Sequence, residues 1–364
     1  MKKIILITPS LNMGGAEIMC ENLANSLTEL ETKVIVISLF SDKTIISNRL
    51  ESNGVEVRFL NKKRGLDVSM VNKLKNIFAE EKPDAVHSHN NAIQYVVPAA
   101  ILAKVKKRVH TVHSIADKEL IKPVRKVVKL FYKCFHVVPV ALSELVRDTV
   151  VKEYRLPVEN IPVIYNGINL SNCIPKSDYS IKEKFTILHI GRFEEVKNHK
   201  TLVKAFSKFH HMYPNSELKL IGDGTERENM ENLVHQLKMK DNVKFLGLQS
   251  NVYGYLHDAD AFTLPSIYEG IPMTLIEAMG TGLPIVASNV GGIPNMLENE
   301  KSALLIEPSE DELFTAFERL YLNESLRKSL GIKAKGRSIA FSSIKMAQKY
   351  KEIYEKISRY PNKV

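Results

Sequence analysis

Short apolar runs alternate with helix-spaced apolar patterns along the whole chain, and the alternation occurs twice. Parallel strands covered on both faces by crossover helices read in this way, so the pattern predicts β–α–β units and parallel sheets. In the first half, strands are predicted at Lys3–Thr8, Lys33–Ser38, Val55–Phe59, Ala85–Ser88, Lys107–Thr111 and Phe135–Ala141. In the second half they are predicted at Phe185–Ile190, Leu218–Ile221, Val243–Leu246, Ala261–Leu264, Pro284–Ala287 and Ala303–Ile306. Between the halves, Tyr165–Lys184 carries Gly167, Pro175 and several Ser, Asn and Asp residues, and reads as a linker. The expectation is an α/β chain of two doubly wound, Rossmann-like domains facing across a cleft, with ligands at the carboxyl ends of the strands. No repeat or low-complexity tract interrupts the pattern, and a disordered tail is expected only after Pro361.

With 364 residues, 44% hydrophobic and 25% charged, the chain can bury sizeable cores in two or three domains. Met1–Leu11 lacks the cleavage pattern of a signal peptide, and Ala92–Ala103, the longest nearly apolar stretch, is too short to span a bilayer. Cys20, Cys134 and Cys173 form no CxxC pair, so neither a disulfide framework nor a zinc site is expected and a cytoplasmic location fits.

The net charge of +10 is unevenly placed: residues 1–180 hold 26 Lys and Arg against 18 Asp and Glu, and residues 181–364 hold 25 against 23. Much of the excess lies at Lys104, Lys106, Lys107 and Arg108, and at Lys122, Arg125, Lys126, Lys129 and Lys133. In the second cluster Val124, Val127, Val128 and Phe131 recur at helical spacing opposite the cations. Two readings stand open: a basic amphipathic helix suited to an anionic membrane or a phosphate-bearing acceptor, or a solvated helix packed on a sheet by its valines. Nucleic acid is not expected as a partner, because the basic residues lack interleaved aromatics and there is no Trp.

The segment Leu264–Gly292 says most about function. A strand ends near Leu264, a loop runs through Gly270, and Pro272 opens a helix, Met273–Met279, that stops at Gly280–Gly282. Its first turn, with Gly270, Ile271, Pro272, Met273, Thr274 and Leu275 around it, offers unpaired N–H groups and the positive end of a helix dipole to a diphosphate. Glu269 and Glu277, eight residues apart, need not share a helix face, so one can meet a sugar and the other a ribose. Arg192 and Lys197 flank the loop after the strand ending at Ile190, where a forked and a point cation complement a leaving diphosphate. Gly14 and Gly15 follow the first strand and either admit a phosphate or make a plain turn, and IGDG at 221–224 is another tight turn.

His87 and His89, and His110 and His113, follow strands in the first half. With no further ligands at supporting spacing, no metal is expected, and His113 with Ser114 is read as a partner for a sugar hydroxyl. Asp258 and Asp260 are read as helix caps rather than a metal-binding pair. The absence of GxGxxG after the first strand argues against a nicotinamide dehydrogenase.

These residues together resemble the retaining GT-B glycosyltransferases of glycosyltransferase family 4. Glu269 to Glu277 is similar to that family's E-x7-E motif, with EAM, GLPIVAS and VGG following, and GGAE, HTVH, YNGIN, GR followed by KN, and IGDG stand in the family's order. Ile271 departs from a frequent Phe, and Gly280 from a frequent Ala. The resemblance implies that Arg192 and Lys197 bind the diphosphate, that Glu277 holds the ribose and that Glu269 contacts the donor sugar. It also implies that Gly15 approaches the phosphates and that His113 touches the sugar near the reacting carbon. Residues 1–168 would then bind the acceptor, a glycan or lipid-linked molecule, and 169–344 the nucleotide-sugar donor, with a final helix near 345–364 returning to the first domain. A uridine donor, no cofactor and no metal are expected. A non-catalytic nucleotide-sugar module and a GT-B epimerase remain the alternatives.

Overall fold

The structure is a computed structural model that describes residues 3–12, 14–40 and 43–356. The chain divides into two compact units: residues up to Ile168 together with those from Ser342, and Asn169–Phe341.

In the first unit β1 (Lys3–Thr8), β2 (Lys33–Ser38), β3 (Glu56–Phe59), β4 (Ala85–His89), β5 (Lys107–Val112) and β6 (Val137–Ala141) form one sheet in the order β3-β2-β1-β4-β5-β6. In the second, β7 (Phe185–Ile190), β8 (Ser216–Ile221), β9 (Val243–Phe245), β10 (Ala261–Leu264), β11 (Ile285–Ser288) and β12 (Leu304–Ile306) form another, in the order β12-β11-β10-β7-β8-β9. Every strand pair is parallel. Both sheets reverse their winding once, between β1 and β4 and between β7 and β10, and the carboxyl ends beside such a reversal are where doubly wound sheets hold ligands.

The strands form where apolar runs permit burial on both faces: Ile4 to Ile7 and Val34 to Ile37 are enclosed without a polar interruption. Alternate residues serve two cores. Ile4 and Leu6 pack under the helix Gly15–Glu29, whereas Ile5 and Ile7 pack with Met70, Leu74 and Phe78 on the other face. Parallel connections need helices to cover those faces, and the second unit repeats the arrangement around Phe185, Phe206, Phe209 and Phe317.

The helix Ser343–Lys356 buries Met346, Ala347, Tyr350, Ile353 and Tyr354 in the same core as Met19, Leu23 and Leu27. Its two tyrosines reach the sheet: Tyr354 OH lies 2.6 Å from His87 Nδ1, and Tyr350 OH lies 2.7 Å from Thr111 Oγ1. Residues after 356, including Pro361, lie outside the described residues. Among the described residues no helix is long and apolar enough to cross a membrane.

Candidate functional site

In the second unit the sheet order brings two loops side by side. The loop after β7 spans residues 191–198 and the loop after β10 spans 265–272. Ile267 N–H donates to the Val196 carbonyl at 2.8 Å, and Asn198 Nδ2 donates to the Pro265 carbonyl at 3.1 Å. Between them Lys197 Nζ meets Glu269 Oε1 at 2.5 Å, and Ser266 Oγ donates to the same oxygen at 2.7 Å. The Glu269 side chain is only 9% exposed, so this charge leaves water with two donors already in place.

Gly291 and Gly292 hold that loop from below. Gly292 N–H donates to the Glu269 carbonyl at 3.1 Å. A Cβ on Gly291 would overlap the same carbonyl oxygen, one on Gly292 would overlap that of Gly270, and Gly291 has φ of +55°. The VGG motif therefore lets β11's exit loop lie against the backbone that carries Glu269.

The helix runs Met273–Thr281, starting at the expected Met273 and ending two residues past the expected Met279, with Pro272 as its N-cap and no side-chain cap bond. Leu275 and Ile276 N–H both reach the Pro272 carbonyl, at 3.2 and 3.4 Å, while Met273 and Thr274 are half-exposed. The tip is thus only partly covered, and Met273 and Thr274 carry its free N–H groups. Leu275 is a correction: its side chain is fully buried and its N–H is spent on Pro272, so it contributes packing and no donor. Ile271 is also buried, with Gly270 half-exposed beside it.

Glu277 lies in the second turn of this helix, half-buried, and its carboxylate meets no donor among the described residues. Desolvation pushes its pKa up to about 7. An unpaired carboxylate in this setting can accept two vicinal hydroxyls. Arg192 stands elsewhere: its side chain is 72% exposed and pairs with Glu194 at 2.9 Å, so it does not join Lys197. Two supporting groups escaped the sequence reading. Ser266 lay in the PS that precedes the motif, and His189 Nδ1 binds the Thr263 carbonyl at 2.9 Å, tying β7 to β10 beneath Gly191.

In the first unit, Gly14 caps the helix Gly15–Glu29 without a side-chain bond, and a Cβ on Gly15 would meet nothing within 4 Å. Glu17, in the first turn of that helix, crowds Gly14, and burial raises its pKa. His87, His89 and His110 are fully buried, and His113 is half-buried just past β5. His113 N–H donates to Glu119 Oε1 at 3.0 Å, and desolvation drives the His113 ring to about 3 and the Glu119 carboxyl up to about 8. No group of three or more His, Cys, Asp or Glu able to hold a metal exists among the described residues. Asp260 corrects another expectation: its carboxylate accepts Thr186 N–H at 2.9 Å and so extends the pairing of β7 with the chain entering β10 rather than capping a helix.

Residues 13–172 match the family described as Glycosyltransferase Family 4, and residues 174–337 match Glycosyl transferases group 1. The chain belongs to glycosyltransferase family 4. The chain is 28% identical over 312 residues to the Escherichia coli UDP-Gal:alpha-D-GlcNAc-diphosphoundecaprenol alpha-1,3-galactosyltransferase, covering 79% of each chain. It is 29% identical to the Bacillus anthracis N-acetyl-alpha-D-glucosaminyl L-malate synthase, with 80% of each chain covered. Among solved structures, that of Anabaena HepE with UDP and glucose superposes with a TM-score of 0.82 at 20% identity, covering 98% of this chain and all of that one. That likeness establishes the GT-B fold.

In this glycosyltransferase the two departures from the family pattern have different surroundings. A Cβ at Gly280 would stand 2.6 Å from Cys173 Sγ and 3.0 Å from Leu170 Cδ2, so the buried Cys173 occupies the room an alanine needs. Ile271 packs against Gly292, where a Cβ would come within 2.9 Å of its Cδ1. The basic segment of the glycosyltransferase forms the helix Lys122–Cys134, which buries Val128, Phe131 and Tyr132. Val127 and Leu130 are not on the inward stripe: they are 48% and 50% exposed, beside Lys126 and Lys133, with Ile121 72% exposed at the start. Arg125 is engaged by Glu153 at 2.9 Å.

Proposed function

We propose that this family 4 enzyme is a retaining transferase that moves a hexose or N-acetylhexosamine from a UDP-sugar onto a lipid-linked or polysaccharide acceptor in cell-surface glycan synthesis. The observation that carries the reading is the Lys197–Glu269 pair at the sheet's winding reversal, beside the uncapped tip of Met273–Thr281. The diphosphate lies against Met273 N–H, Thr274 N–H and Lys197, and Arg192 leaves Glu194 to join them. Glu277 takes the ribose hydroxyls, Glu269 the sugar, and His113 a sugar hydroxyl. The relative named for a UDP-galactose donor and a diphosphoundecaprenol-linked acceptor supports the donor and acceptor classes.

Retention requires either a carboxylate nucleophile or attack from the face the leaving group departs. Glu269 accepts from both Lys197 and Ser266, which opposes its use as a nucleophile, so same-face attack is favoured. The bond from the anomeric carbon to the diphosphate oxygen breaks as the bond to the acceptor oxygen forms, and the acceptor's proton passes to the departing phosphate. The cations and helix tip absorb the charge that develops there. They also supply what a divalent ion would, so activity is expected to persist in EDTA, and rescue of a lost activity by magnesium or manganese would count against this.

Proton NMR of the product made from an α-linked UDP-sugar tests the proposal. An α-linkage in the product supports it. A β-linkage, or epimerisation or hydrolysis of the donor with no acceptor present and no transfer, overturns it. The exposed basic helix Lys122–Cys134 favours work at the cytoplasmic face of an anionic membrane.

A further inference from the structure

We propose that His89 is a positioning residue that fixes the His113 ring as its Nδ1–H tautomer, so that His113 meets substrate as a hydrogen-bond donor. Its consequence for turnover rests on the reading of His113 given above, whereas the geometry stands by itself.

The strand register places the two rings together. His89 ends β4 and is the partner of Thr111 on β5, and His113 follows Thr111 by two residues, so both rings project from one face of the sheet. His89 Nδ1 lies 2.9 Å from His113 Nε2. The His89 ring cannot turn away easily. It stacks on His87 with centroids 4.4 Å apart, and His87 is itself held at both nitrogens, by Tyr354 OH at 2.6 Å and Thr111 Oγ1 at 2.8 Å. His113 is anchored a second time through its backbone N–H on Glu119.

Burial holds both rings neutral, and His87, His110 and each other's presence disfavour any charge on His89. One proton therefore lies between the two nitrogens, and it belongs to one ring. If His113 donated it, His89 would carry its own hydrogen on Nε2, which is enclosed and has no partner among the described residues. If His89 donates it, only a lone pair is left unpaired at that Nε2. A buried N–H without an acceptor is the rarer and costlier of the two. His89 therefore donates, His113 Nε2 accepts, and the proton of His113 resides on Nδ1, the ring nitrogen left for a ligand. In this form His113 has no free lone pair for a general base, which agrees with proton transfer to the departing phosphate.

Two-bond nitrogen–proton NMR on protein labelled with 15N-histidine reads the tautomer directly, with His113→Gln assigning the signal. The expected result is His113 protonated at Nδ1, lost in His89→Leu and kept in His89→Asn, whose amide N–H replaces the donor. His89→Leu should lower kcat about tenfold with little change in the donor KM, and His89→Asn should restore it. An Nε2-protonated His113 in the unmodified protein overturns the proposal even where His89→Leu does not fold, as does an unchanged tautomer in a folded His89→Leu. Unchanged turnover in His113→Gln would instead remove His113 from the reaction and leave the tautomer result intact.

Discussion

Cys173 Sγ fills the space above Gly280, 2.6 Å from where a Cβ on that glycine would stand. The two residues are one packing decision, since Cys173 comes from the start of the second unit and Gly280 from the last turns of the site helix. Gly280→Ala should destabilise the protein by about 1–3 kcal/mol through overpacking, despite alanine's better helix propensity. In Cys173→Ala the same change should cost little or become stabilising, and a double-mutant cycle by denaturant unfolding measures the coupling. Additive effects would show that the helix shifts to accommodate the methyl group.

Lys197 is expected to matter in turnover more than in folding. Lys197→Ala should reduce kcat by about 10²- to 10³-fold, the usual loss when one preorganised charge-stabilising group is removed. Thermal melting should show a smaller effect, because Ser266 still donates to Glu269. Steady-state kinetics at saturating donor decide the matter, and wild-type turnover would place the leaving group elsewhere.

The raised pKa of Glu277 gives a pH dependence with a definite sign. Its carboxyl sits at about 7 against a usual 4.5, so the fold favours the neutral form. The resulting instability is absent below pH 4.5, grows through the interval and is complete above 7. Glu277→Gln should therefore melt about 2–4 °C above the wild type at pH 8, a difference of about 1 kcal/mol after allowance for partial exposure, and the gap should close by pH 4. Ribose binding draws on the ionised form, so UDP affinity should fall as pH drops below 7, by up to about tenfold per unit, and the variant should bind weakly at every pH. Calorimetry across pH 6–8 checks both, and a pH-independent wild-type affinity would exclude Glu277 from the ribose site.

The exposed Ile121, Val127 and Leu130 beside Lys122, Lys126 and Lys133 predict binding to phosphatidylglycerol vesicles over phosphatidylcholine. Each lysine changed to glutamine should weaken it about fivefold. Co-sedimentation at two salt concentrations measures this, and equal binding to both vesicles would favour a solvated surface.

All twelve strands were legible, most of them because a parallel strand buried on both faces has to be apolar nearly throughout; the edge strands β3 and β9 are more open, and no strand end lies more than two residues from expectation. Pro272 before the site helix and Gly282 after it mark ends that backbone chemistry imposes locally, Gly282 having φ of +80°. What the sequence determined by itself was thus periodicity, turn chemistry and the types of group at each strand end. Which groups meet was decided by the tertiary structure. Lys197 and Glu269 are 72 residues apart and pair because the sheet order makes β7 and β10 neighbours, and His89 finds His113 through the β4–β5 register. Arg192, expected beside Lys197, lies on the same loop but turns to Glu194 in solvent, and Val127 points outward despite its helical spacing with Val124, Val128 and Phe131. Periodicity follows from the geometry of a single element, but contact depends on strand order, register and the direction of each side chain, which no local pattern encodes.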